Sequence, residues 1–115
     1  VLNLSFSAVS MAIGNAGVYS SIKGAVDALT RQQAAELGPH GIRVNALAPG
    51  SVVTPGASSV ISEQGWKERA AKTVLNRLPT MEDIGLAAVF LSSADANCIT
   101  GVTLKVDSGM TIKGA

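Results

Sequence analysis

Cysteine is nearly missing from this 115-residue sequence. Cys98 stands alone, so no internal disulfide can form, and a reducing, cytoplasmic setting is expected. Histidine is as scarce: His40 is the only one and the carboxylates are scattered, so no metal centre built on cysteine and histidine is expected. Aromatic residues make up 3% of the chain, and Tyr19 is its single tyrosine. A formal net charge of +1 offers no electrostatic footprint for nucleic acid or an anionic membrane surface. No apolar run reaches the roughly 18–20 residues that cross a bilayer. Internal repeats, low-complexity tracts and linkers are absent too, and neither nucleic acid nor membrane is an expected partner.

What remains has the size and composition of one small α/β domain, 47% apolar and 15% charged. The opening "VLNLS" has no initiator methionine and reads as the interior of a longer protein. "VLNLSFS" is short, apolar and without helical period, which predicts a buried strand. From about Tyr19 to Leu37, Ile22, Val26, Leu29 and Leu37 recur near helical spacing, with Ala25, Ala34 and Ala35 in support; Gly38 and Pro39 are expected to stop the helix. Asp27 and Arg31, four apart, are expected to pair on its solvent side. "IRVNALAP" alternates through Ile42, Val44, Ala46 and Ala48 and predicts a second strand ending at Pro49-Gly50. After a loop, "SVVTPGASS", comes a helix capped by Ser62 with Trp66, Ala70 and Val74 on one face. "TMEDIGLAAVFLSS" predicts a further helix opened by a Thr80–Asp83 capping box. "GVTLKVD" is a third strand. Strands alternating with helices imply right-handed parallel crossovers in a layered sheet. Three such strands leave a long unpaired edge, so another part is expected to cover the face of "VLNLS".

Within "VYSSIK", Tyr19 and Lys23 lie four apart, on one helix face. A cation within about 4–6 Å favours phenolate and lowers a phenol's pKa by roughly 1–3 units from its usual value near 10. A tyrosine so tuned gives a proton to a carbonyl oxygen or takes one from an alcohol. The accompanying hydride comes from no side chain, so the pair implies a nicotinamide cofactor. The pair alone is a weak signal, since a packed tyrosine with a solvated lysine fits the same spacing.

The surroundings strengthen it. "VLNLS", "YSSIKGAVDALTRQQAAELGPHGIRVNALAPG", "SVVT", "NRLPTMEDIGLAAVFLSS" and "ITGVTLKVDSG" occur in that order, and over nearly all 115 residues the chain resembles the second half of the short-chain dehydrogenase/reductase family in its single-domain form. The resemblance implies the C-terminal part of a Rossmann-like, doubly wound parallel sheet of about three strands. Residues 1–115 are then the catalytic portion of such a domain, with the N-terminal dinucleotide-binding βαβ part absent. It implies an NAD(P)-dependent oxidoreductase segment that interconverts a carbonyl and a secondary alcohol. Tyr19 is implied as general acid/base, with Lys23 assisting it and holding the nicotinamide ribose. Pro49 and Gly50 end the strand where the nicotinamide lies, the backbone of Val52 serves the carboxamide, and the hydroxyl of Thr54 touches the carboxamide or phosphates. Asn45 is taken as structural. Trp66 either covers the substrate or simply packs. The implied partners are a small carbonyl or alcohol substrate and further copies of the chain, as dimer or tetramer. NAD and NADP both remain open, because no glycine-rich phosphate turn is present; for the same reason the isolated chain is expected to bind dinucleotide poorly and to be inactive.

Certain positions depart from the family pattern. The family's substrate-binding serine falls in register on Phe6, which has no hydroxyl. Ser5 and Ser7 flank it and point to the opposite face in a regular strand. A bulge or one-residue shift brings Ser7 into place, and Ser7 is favoured over Ser5 or Ser10. Pro79, Met81 and Ser108 replace frequent glycine, proline and glycine. One competing reading is a non-catalytic remnant that acts only through subunit association, which Phe6 favours and the intact Tyr19–Lys23 pair opposes. An epimerase or dehydratase relative is a third, disfavoured because the chain ends soon after "VDSG".

Overall fold

The computed structural model describes residues 1–114. Three strands, β1 (Leu2–Leu4), β2 (Asn45–Pro49) and β3 (Thr103–Val106), form one parallel sheet in the order β1-β2-β3. Between β1 and β2 runs the long helix α1 (Gly17–Leu37); between β2 and β3 come α2 (Pro55–Ser58), α3 (Glu63–Ala71) and α4 (Met81–Ser92). The chain is thus α/β in a Rossmann-like arrangement.

Register fixes which side chains share a face. Asn3, Ala46 and Thr103 are lateral neighbours. Asn3 Nδ2 donates to Thr30 Oγ1 (3.1 Å) and Gln33 Oε1 (3.0 Å), and Thr103 Oγ1 donates to Asp27 Oδ1 (3.2 Å), so this face carries α1. Leu2, Leu4 and Leu47 point the other way, and α4 covers that side, with Leu91 its one buried residue. Both connections step across the sheet in the same direction but over opposite faces. Two such crossovers have opposite hands, which corrects the expectation that both are right-handed.

The burial of β2 also differs from a simple alternation. Residues 45 to 48 are all buried, because a central strand has helices over both faces. Asn45 sits in this core as a bracket: Nδ2 donates to Ile99 O (2.8 Å) and Oδ1 accepts from Val102 N–H (3.1 Å). Its role is structural. Arg43 performs a similar task one step earlier, donating to the carbonyls of Leu91 (2.8 Å), Ser93 (3.2 Å) and Ile99 (3.2 Å). A guanidinium thereby satisfies carbonyls that the end of α4 leaves without helical partners.

Other expectations shift for local reasons. On α1 the buried residues are Thr30 and Ala34, whereas Ile22 and Leu29 are exposed. The sheet beneath is lined by Ala46 and Ala48, and small residues let the helix lie close to it. Asp27 accepts from Thr103 instead of pairing with Arg31; the one ion pair among the described residues is Glu63–Lys67 on α3. Gly38 is right-handed helical and continues into a 3-10 turn, so the left-handed stop falls on Gly41 (φ 74°). The loop after β2 contains α2, capped by Thr54. Ser62 caps α3 as expected, but that helix ends at Ala71, and Val74 lies beyond it. The Thr80–Asp83 capping box of α4 is complete in both directions.

Candidate active site

Tyr19 and Lys23 occupy the first turns of α1, beside the chain segment that leaves β1. Lys23 Nζ donates to Leu4 O (3.1 Å) and stands 5.8 Å from the centre of the Tyr19 ring. The carbonyl at the end of β1 therefore holds the ammonium directly, on the same helix face as the phenol. Tyr19 is half exposed, and its ring takes the edge of Phe6 at a centroid distance of 5.4 Å and an interplanar angle of 76°. The position in register with the family serine is thus filled by an apolar wall against Tyr19.

The three candidate serines have separate environments. Ser5 is buried, and its hydroxyl donates to Lys23 O at 3.4 Å. Ser7 opens a 3-10 turn (Ser7–Ser10), is buried, and its Oγ has no hydrogen-bond partner among the described residues. Ser10 is exposed. Strand pairing stops early enough to allow this: Ser5 N–H still bonds Leu47 O (2.8 Å), after which the backbone turns away.

At the end of β2, Gly50 N–H bonds Val106 O (3.0 Å), and a Cβ placed on Gly50 would lie 2.8 Å from Asp107 Cβ. The glycine is required here by close approach of two strand ends. Asp107 is itself buried and accepts from Gly109 N–H, Thr111 N–H and Thr111 Oγ1–H. Thr54 Oγ1 accepts from Ala57 N–H (3.1 Å) as the cap of α2, which leaves its own proton to donate. The backbone groups of Val52 form no hydrogen bond within the described residues. Trp66 lies half-buried on α3.

A cleft of about 590 Å³ opens beyond the carboxyl ends of the strands. Its lining includes Phe6, Met11, Ser51, Arg69, Lys72 and Met110, contributed by the segments that follow all three strands and by α3. Parallel sheets bind ligands at this end. Phe6 connects the cleft to Tyr19. Neither Tyr19 nor Lys23 lines the cleft directly, and sequence spacing alone gave no sign that Arg69 and Lys72 would. Among the described residues no cluster of metal-ligating side chains occurs, and no helix is long and apolar enough to cross a membrane.

The family model described as "Enoyl-(Acyl carrier protein) reductase" matches residues 1–111. Short-chain reductase protein NovJ of Streptomyces niveus is 40% identical over 114 residues, which cover 92% of this chain and 43% of NovJ. L-xylulose reductase of Mesocricetus auratus is 40% identical over 118 residues, covering 97% of this chain and 46% of the enzyme. The crystal structure of a candidate gluconate dehydrogenase from Agrobacterium tumefaciens superposes with a TM-score of 0.90 at 28% identity, over 98% of this chain and 45% of that one. The chain therefore spans less than half the length of each of these three relatives. With its parallel sheet, its Tyr19–Lys23 helix and these likenesses together, the chain belongs to the short-chain dehydrogenase/reductase family, oxidoreductases that generally use NAD(P)H.

Proposed function

We propose that residues 1–115 act as the C-terminal catalytic portion of an NAD(P)-dependent oxidoreductase that interconverts a carbonyl and a secondary alcohol on a small molecule. The observation that carries this reading is the pairing of Tyr19 with Lys23, 5.8 Å from ring centre to ammonium, next to a cleft at the carboxyl ends of the strands. Tyr19 Oη gives its proton to the carbonyl oxygen in reduction and takes the hydroxyl proton in oxidation. The nearby Lys23 charge favours the negative charge that develops on the phenol oxygen. Bound nicotinamide supplies or accepts the hydride at carbon.

The residues present fit such a nucleotide. Lys23 Nζ spends one N–H on Leu4 O and keeps two for ribose hydroxyls. The unpartnered backbone of Val52 and the free proton of Thr54 suit a carboxamide, beside the strand end at Pro49-Gly50. The nucleotide is NAD or NADP. Ser7 is the preferred hydrogen-bond donor to the substrate oxygen, with Ser5 the alternative. An orphan buried hydroxyl costs about 1–3 kcal/mol, so a missing partner for Ser7 Oγ supports that preference. Ser5 is already engaged with Lys23 O.

The test is Tyr19→Phe in the full-length protein, scored by NAD(P)H oxidation over a panel of carbonyl compounds and by nucleotide binding. Turnover should fall by about 10²–10⁴ with binding retained; unchanged turnover sinks the proposal. One observation favours a second reading: Phe6 stands where a serine is usual, as expected of a remnant that only associates. Exposed Val18, Ile22 and Leu29 on α1, and Leu86, Val89 and Phe90 on α4, support assembly into homo-oligomers under either reading. A full-length protein that assembles and binds nucleotide yet reduces nothing would favour the remnant.

A further inference from the structure

The cleft has a charge of one sign. Arg69, Lys72 and Lys113 line it, and no carboxylate does. Lys113 is engaged: its ammonium donates to the carbonyls of Ala71 and Thr73, where α3 ends. Cations near a helix C-terminus ordinarily serve those carbonyls and the helix dipole. With Lys113 already in that role, Arg69 and Lys72 are not needed for it. Their side chains make no hydrogen bond or ion pair with any described residue. Arg69 lies in the last turn of α3 and Lys72 is its C-cap residue, and both border the cleft. The lining also carries apolar side chains, among them Phe6, Met11 and Met110. Phe6 also touches Tyr19, so one lining residue joins the proposed proton donor to the cleft that the two cations border.

We propose that Arg69 and Lys72 are specificity-determining residues that bind an anionic group, such as a carboxylate, sulfonate or phosphate, at the end of the substrate away from its reacting carbonyl. This rests on the catalytic reading of Tyr19, and it assigns that site a substrate class: a carbonyl compound with an apolar spacer and a negatively charged tail. A guanidinium and an ammonium together form charge-assisted hydrogen bonds to such a group, which a neutral tail cannot accept equally.

The experiment uses the full-length protein and two probes of one carbon frame, 4-oxopentanoate and its methyl ester. Affinity is read from quenching of Trp66 or calorimetry, and turnover from NAD(P)H oxidation. The acid should bind at least about tenfold tighter than the ester, and added salt should weaken the acid alone. The double variant Arg69→Met, Lys72→Met keeps both stems and should bring the two probes to parity, with ester binding unchanged; Arg69→Lys should restore part of the preference. Equal binding of acid and ester to the unaltered protein overturns the proposal, as does a preference that survives the double variant. So does a double variant that loses NADPH affinity and not acid affinity, since the charges would then serve the nucleotide. Tyr19→Phe separates the two readings: it should lower turnover by about 10²–10⁴ and leave the acid preference in place. Turnover retained in that variant would remove the catalytic reading alone.

Discussion

Phe6 and Tyr19 meet edge to face, 5.4 Å between ring centres, at the position that the family resemblance assigns to a serine. Two substitutions decide whether the hydroxyl is lost or displaced. If Ser7 orients the substrate oxygen, Ser7→Ala lowers turnover by about 10²–10³, the scale of a lost oxyanion donor, and Phe6→Ser adds nothing. If no serine serves, Phe6→Ser raises turnover and Ser7→Ala is silent. Steady-state kcat for the pair is the measurement, with nucleotide binding as the control for folding.

Arg43 ties β2 to both ends of the α4–β3 connection through three carbonyls. Lysine keeps the charge but not the planar fork. Arg43→Lys should therefore lower unfolding free energy by about 1–3 kcal/mol, the scale of hydrogen bonds to charged groups, and a denaturant melt checks it.

Left-handed backbone explains one departure and makes another residue irreplaceable. Ser108 has φ 54°, a conformation that suits glycine, the residue that the family resemblance leads one to expect there. Ser108→Gly should raise the melting temperature through relief of about 1 kcal/mol. Next to it, Gly109 has φ 80°, and a Cβ would lie 2.8 Å from Val74 Cβ. Gly109→Ala should destabilise by more than about 1 kcal/mol, and thermal unfolding of the two variants should move in opposite directions.

The capping box makes α4 sensitive to acid. Hydrogen bonding of the Asp83 carboxylate, first to the Thr80 backbone N–H and then to its hydroxyl, holds the Asp83 pKa below the ordinary carboxylate range, and Arg77 adds a smaller pull. A group lowered on folding contributes stability above its unfolded pKa, and that contribution fades as pH falls through the folded value. The melting-temperature gap between the protein and Asp83→Asn should be present near neutrality and close in acid below the usual aspartate pKa. A gap that persists there contradicts the assignment.

Much of this was legible before any coordinates. Thr80–Asp83 and Ser62 follow from short-range capping chemistry, and β2 and β3 from apolar runs bounded by glycine and proline. β1 is a strand as its apolar run predicts, but it spans Leu2–Leu4 only. Leu2 and Leu4 are exposed, because no neighbouring strand or layer covers that edge among the described residues. Tyr19 and Lys23 come together because helical spacing fixes i and i+4. What was not legible depends on a surface from elsewhere in the chain. The inner face of α1 is set by the alanines of β2, so Thr30 and Ala34 go in while Ile22 and Leu29 stay out. Asp27 takes Thr103 because β3 arrives beneath it, 76 residues later. The cleft combines loops from three strand ends with α3, and nothing in the local pattern of "WKERAAK" announces that Arg69 and Lys72 face it.

Gly50 and Asp107 have a consequence for how such a protein can change. Gly50 meets the Cα and Cβ of Asp107 with no space for even one methyl group, which welds the end of β2 to the end of β3. Neither residue lines the cleft, so the weld is a rigid frame behind it. Under the catalytic reading, new preferences would be written in lining residues such as Arg69 and Lys72, which can change without disturbing that frame.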